Sequence, residues 1–169
     1  MKVTRFLLFL YILFILTDSI YAYDNVTSSE ALVARAATCL EARDWKGLKY
    51  YTQRCISLYQ SQARNMQRKL KDFASLETTD KYWALNDVAY SYFLQGEMYR
   101  IIGKTEKAKK KYMTVIKKFK FAQVYDPSIS GAWQVAEACE IKLNDMGIDI
   151  EEKNDPKSKF IKKKLKPLK

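Results

Sequence analysis

Apolar residues recur along this chain at steps of three and four, the period of an α-helix, between residues 28 and 146. Thr27-Ser28-Ser29-Glu30 forms a capping box, so a first helix is predicted from Ser28 to about Arg43, with Leu32, Ala36, Cys39 and Leu40 on one face. Asp44 caps a second helix whose apolar set is Leu48, Thr52, Cys55, Tyr59, Ala63, Met66, Leu70 and Phe73. After a polar break at Ala74 to Thr79, Thr79 or Asp80 caps a third helix that runs to about Ile102 and stops at Gly103. Thr105 opens a fourth, close enough to the third to form a tight helical hairpin, with Ala108, Tyr112, Val115, Ile116 and Phe119 facing inward. Asp126-Pro127 makes a turn, and Ser130 caps a fifth helix lined by Trp133, Ala136, Cys139 and Leu143. No strand-type alternation shows outside the amino-terminal segment. The expected class is all-α: about five helices in antiparallel hairpins.

The two ends differ from this middle. Residues 1–22 have the layout of a secretory signal: Lys2 and Arg5, an apolar run from Phe6 to Leu16, then Ile20-Tyr21-Ala22 as a cleavage site after Ala22. The competing reading is a membrane anchor, but a span needs roughly 20 apolar residues and Asp18 interrupts the run too early. This divides the chain into a signal peptide (1–22), a helical domain (23–146) and a lysine-rich tail (147–169), and places the protein in a periplasmic or secreted setting. The tail ends Phe160-Ile161-Lys162-Lys163-Lys164-Leu165-Lys166-Pro167-Leu168-Lys169 and is either a solvated, disordered terminus or a segment that lies on an anionic membrane.

Composition narrows the chemistry. The chain holds 30 Lys+Arg against 19 Asp+Glu, a formal net charge of +11, and no histidine. Ser-His and Cys-His nucleophile pairs and His-ligated metals are thereby excluded. Asp44, Asp80 and Asp126 sit at helix boundaries, where capping explains them. Asp87 and Glu97 fall on nearly opposite faces of one helix. No catalytic constellation, cofactor motif or metal site is expected, and a non-enzymatic protein is. An exported basic protein meets anionic lipid, acidic glycan or acidic protein, which disfavours nucleic acid. Cys39, Cys55 and Cys139 would then allow one disulfide, Cys39–Cys55, or remain small buried hydrophobes.

One motif rises above generic helix. Tyr92-x2-Gln95-Gly96-x2-Tyr99 is followed by Gly103 and then Ala108-x3-Tyr112. This resembles the tetratricopeptide repeat, in which small residues let two antiparallel helices approach and aromatics fill the gaps beside them. Gln95 stands where the family has Leu, Tyr92 where it has Trp, and the closing Pro is missing. Leu32-x2-Arg35-Ala36-x2-Cys39 with Leu48-x3-Thr52 is a looser copy, 60 residues earlier. The closest flavour is the exported bacterial cell-envelope kind, and the resemblance implies a short solenoid of stacked hairpins.

Such repeats are known as protein-binding scaffolds, so the resemblance implies a protein or peptide partner held on the concave wall of first helices. The groove residues expected on this chain are Tyr90, Phe93, Glu97, Arg100 and Ile101, joined by Val33 and Leu40 on one side and Trp133, Glu137 and Ile141 on the other. Tyr, Trp and Arg dominate binding energy once desolvated, although Phe93, Ile101 and Trp133 are equally readable as core. On this reading Arg100→Glu leaves helicity unchanged and weakens partner capture. The alternative is electrostatic: Lys104, Lys107, Lys109, Lys110, Lys111, Lys117, Lys118 and Lys120, with the tail, would bind anionic membrane lipid or acidic glycan.

Overall fold

The structure is a computed structural model that describes residues 27–126 and 130–150. The signal segment, Pro127 and the lysine-rich stretch beyond residue 150 lie outside the described residues. Among those described there are five α-helices, one 3-10 helix and a two-stranded sheet: α1 (Ser29–Glu41), α2 (Trp45–Lys69), the 3-10 helix (Leu76–Tyr82), α3 (Trp83–Ile101), α4 (Thr105–Lys118), β1 (Gln123–Asp126), β2 (Gly131–Gln134) and α5 (Val135–Asp145). The all-α expectation is met, with a small hairpin added.

Two hairpins are closed by the same turn. After α1, Arg43 takes φ 56°, and the amides of Arg43 and Asp44 reach back to the carbonyls of Leu40 and Cys39. After α3, Gly103 takes φ 71°, and the amides of Gly103 and Lys104 reach the carbonyls of Arg100 and Tyr99. Both are Schellman motifs, which satisfy the last carbonyls and reverse the chain in three residues. Asp44 then caps α2, its Oδ1 accepting from the Gly47 amide at 2.9 Å. α1 packs on α2 and α3, α2 on α3, α3 on α4, and α5 on α4 and, less extensively, α3. Contacts therefore run between near neighbours in sequence, and α3 is the central element. Ala84, Leu85, Val88, Ala89, Ser91 and all of Leu94–Met98 are buried on it.

Several boundaries differ from the sequence reading. Ser28, not Thr27, caps α1 by accepting from the Ala31 amide, while the Thr27 carbonyl is taken by the Tyr59 hydroxyl at 2.5 Å. Thr79 and Asp80 do not cap α3; they lie inside the 3-10 helix that runs directly into it, with the Thr79 hydroxyl donating to the Ser75 carbonyl. Ser130 sits at φ 48° in the hairpin turn instead of capping α5, which begins at Val135. Residues 123–126 and 131–134 form the antiparallel pair that the sequence reading missed, with Val124 opposite Trp133. Two four-residue strands are too short to display alternation, but Val124, Tyr125 and Trp133 are residue types that suit a pleated surface. The Gln123 amide donates to Asn86 Oδ1 at 2.9 Å and ties the hairpin to α3. Ile148 and Ile150, past the expected domain boundary at residue 146, also pack against the core.

Candidate functional site

A cleft of about 630 Å³ opens where α1, the 3-10 helix, the first half of α3 and β1 converge. Its carboxylates are Glu30, Asp80 and Asp87, and its rings are Trp83, Tyr90 and Tyr125. Trp83 and Tyr125 are exposed, at 37% and 59%. Trp83 is braced by the edge of Tyr59, with ring centroids 5.3 Å apart. Asp87 is held by the Ser29 hydroxyl, which donates to its Oδ2. Burial raises its carboxyl from the ordinary 3.8 to about 6; the Ser29 hydrogen bond opposes that shift and the charge of Glu30 adds to it. The cleft therefore concentrates negative charge beside aromatic faces, the arrangement that receives a cation.

Beyond Tyr90 the aromatic surface continues. Tyr90, Phe93 and Trp133 form a triangle with centroid separations of 5.6 to 6.0 Å, and Phe93 also meets Tyr112 at 6.0 Å. All three residues of the triangle are half-buried, so each is part core and part surface. The β-hairpin presents Trp133 to this triangle.

A polar network lies one turn further along α3. The Glu97 carboxylate, 8% exposed, accepts from Arg100 Nη2 at 2.7 Å, from Arg100 Nε at 3.1 Å and from the Tyr112 hydroxyl. Burial alone would raise the Glu97 carboxyl, but the hydrogen bonds from Arg100 and Tyr112 and the charges of Arg100 and Lys142 hold it below 4.5. Its partners shift in the same sense as a bound pair: Arg100 is raised by the Glu97 hydrogen bond, and Tyr112 by burial and by Glu97.

The predicted groove thus separates into parts. Tyr90 lines the cleft, and Phe93 and Trp133 extend it. Glu97 and Arg100 are committed to each other and to Tyr112. That commitment makes Arg100→Glu a stability substitution, because it would set a carboxylate beside one already desolvated. Val33, although mostly buried, lines the same cleft as Tyr90, Leu40 is half-buried, and Ile101, Glu137 and Ile141 are exposed elsewhere on α3 and α5.

The repeat-signature residues also find places. A Cβ on Gly96 would lie 2.3 Å from Cε1 of Tyr112, so the close approach there is helix backbone against an aromatic ring. Ala108 is buried. Tyr92 stacks on Phe119 at 5.8 Å and donates to Gln60 Oε1 at 2.6 Å. Tyr99 is half-buried beneath the Lys107 ammonium, 5.7 Å from its centroid.

Glu30, Asp80, Asp87, Trp83 and Tyr125 were not foreseen as site residues. Glu30 and Asp80 have the positions of capping groups in the sequence. The available signal was Asp87 itself, a carboxylate between the apolar residues Leu85 and Val88 on a mostly buried helix. Among the described residues no cluster of His, Cys, Asp and Glu is arranged to hold a metal ion. None of the described helices is long and apolar enough to cross a membrane. All three cysteines are free, so the Cys39–Cys55 bridge is not formed. Compared with family models, with curated proteins and with solved structures, the chain matches none.

Proposed function

We propose that this protein is a non-enzymatic scaffold whose acidic, aromatic cleft captures a basic segment of a partner protein. The observation that carries the reading is the convergence of Glu30, Asp80 and Asp87 with Trp83, Tyr90 and Tyr125 in one concave site. A lysine or arginine entering it finds carboxylates for its charge and ring faces for its stem. The aromatic triangle of Tyr90, Phe93 and Trp133 gives the flanking residues of such a segment an apolar rest. The tetratricopeptide-like reading is supported by two identical hairpin turns 60 residues apart and by packing between near neighbours. An address at residues 1–22 would deliver the scaffold to a cell envelope, where a peptide-capturing hairpin stack meets exported partners.

The test is fluorescence anisotropy with labelled peptides of matched length and opposite charge. Basic peptides that contain an aromatic residue are expected to bind, acidic ones to fail, and Glu30→Lys with Asp80→Lys to abolish binding without loss of helicity. Equal binding of both peptide classes, or full retention in the charge-reversed protein, removes the reading.

A further inference from the structure

A second cleft, about 540 Å³, lies between α2 and the α3–α4 hairpin and shares no residue with the acidic one. Lys49 and Arg54 of α2 and Lys111 of α4 line it, with the rings of Tyr50 and Tyr99, and among the described residues no carboxylate does. α2 contains no acidic residue at all. The local potential is positive, and concavity concentrates it.

Gln95 sets the chemistry of this cleft. It is 4% exposed, and its Nε2 donates to Thr52 Oγ1 at 2.9 Å. Thr52 has already given its own proton to the Leu48 carbonyl at 2.7 Å. Gln95 Oε1 accepts from no donor of the chain among the described residues. A buried carbonyl left in that state is destabilising, because it has given up water without gaining a donor. The cleft is therefore rich in positive charge and short of one hydrogen-bond donor.

Few ligand chemistries answer both needs. Sulfate brings charge without a donor, and a flat bilayer does not enter a recess. A sugar ring that bears sulfate or carboxylate brings an anion, hydroxyl donors and a C–H face for the two tyrosines. We propose that this cleft binds an acidic saccharide, its anionic group set among Lys49, Arg54 and Lys111 and one hydroxyl donating to Gln95 Oε1. Oε1 is sealed from solvent in the free chain, so entry requires the long cationic side chains to turn. Lys111 is placed for that movement: it is half-buried, with its ammonium 5.3 Å from the centroid of Tyr92. Burial and neighbouring Lys110 hold its ammonium below the ordinary Lys value, and the charge of a bound anion would oppose that shift. Recognition on this account depends on Gln95 and Lys111 and not on the summed charge of the lysine-coated α4.

The experiment is calorimetric titration of the full chain with a sulfated heparin tetrasaccharide near physiological salt. Controls are maltotetraose, sodium sulfate and phosphatidylserine vesicles. The tetrasaccharide is expected to bind and the three controls to bind far more weakly. Lys111→Gln and Gln95→Leu should each weaken it about tenfold or more, the loss that goes with one charge-assisted contact or one buried hydrogen bond. Lys117→Gln, on exposed α4 surface outside the cleft, should change it little. Gln95→Met serves as a second variant should Gln95→Leu lower the yield of folded protein. Undiminished binding in both Gln95 variants, equal losses from Lys111→Gln and Lys117→Gln, or sulfate or vesicles binding as tightly as the tetrasaccharide would each overturn the proposal.

Discussion

The ring of Tyr112 lies where a side chain on Gly96 would have to go. A Cβ there would stand 2.3, 2.7 and 2.9 Å from Cε1, Cδ1 and Cζ of that ring. Tyr112 is fully buried and its hydroxyl is fixed on Glu97, so the ring has nowhere to retreat. Gly96 thus lets α3 and α4 approach by admitting a ring against bare backbone, and the same ring positions the polar network.

Gly96→Ala is expected to destabilise the fold by about 1–3 kcal/mol through overpacking, with the better helix propensity of alanine, about 1 kcal/mol, recovering part of it. Gly96→Leu should prevent the hairpin from closing. Urea denaturation followed by circular dichroism measures both. An unchanged midpoint for the leucine variant would mean that this approach is not tight.

Arg100→Glu is expected to lower stability, because it withdraws two hydrogen bonds from a desolvated Glu97 and adds a like charge. The folded-state pKa of Glu97 is depressed, so its stabilising contribution is complete above the ordinary 4.5 and fades as the pH falls through the lower folded value. Glu97→Gln should remove that acid limb. Thermal melts of both variants between neutral and about pH 3, taken across this titration range, give the comparison.

How much of this was legible in the sequence follows from the range of each interaction. α1 to α4, the Asp44 cap and the Gly103 stop are local, and period, cap and left-handed turn residues announce them. The β-hairpin is also local, but its strands are four residues long, below the length at which alternation shows. The cleft carboxylates were hidden for a different reason. Glu30 and Asp87 are 57 residues apart, and only the packing of α1 on α3 brings them together. Gln95 was visible as a departure from the repeat pattern, yet its orphaned oxygen depends on Thr52 from another hairpin. Arg100 and Glu97 were assigned to a groove because residue type alone does not reveal that they satisfy each other.

The cysteines should be sharply unequal toward an alkylating reagent. Burial pushes the Cys55 thiol up to about 12, with the charge of Asp87 adding to it, and burial raises Cys139 as well. Cys39 is half-buried and also raised, by burial and then by Asp44. Native protein treated with N-ethylmaleimide is expected to gain one slow adduct, at Cys39, and all three only in denaturant. Rapid native labelling of Cys55 or Cys139 would show that α2 or α5 is not packed as described.

Asp87 should make stability and partner capture respond to pH in opposite directions. Its folded-state pKa, about 6, lies above the ordinary 3.8, so the folded chain binds the proton more tightly than the unfolded one. Stability is lowest above pH 6, rises as the pH falls from about 6 toward 3.8, and gains nothing more from this group below that. Glu30 and Asp80 share the cleft, and among the described residues that line it there is no lysine or arginine to offset the effect. A basic peptide needs the ionised carboxylate, so its affinity should instead fall as the pH drops through the same interval. Asp87→Asn separates the two. It should raise the urea midpoint at neutral pH, flatten the rise between pH 6 and 4 (approximate bounds of the titration), and weaken the peptide. A variant that gained stability and kept full, pH-dependent peptide binding would show that Asp87 is a buried liability of the α1–α3 contact and no part of a binding site.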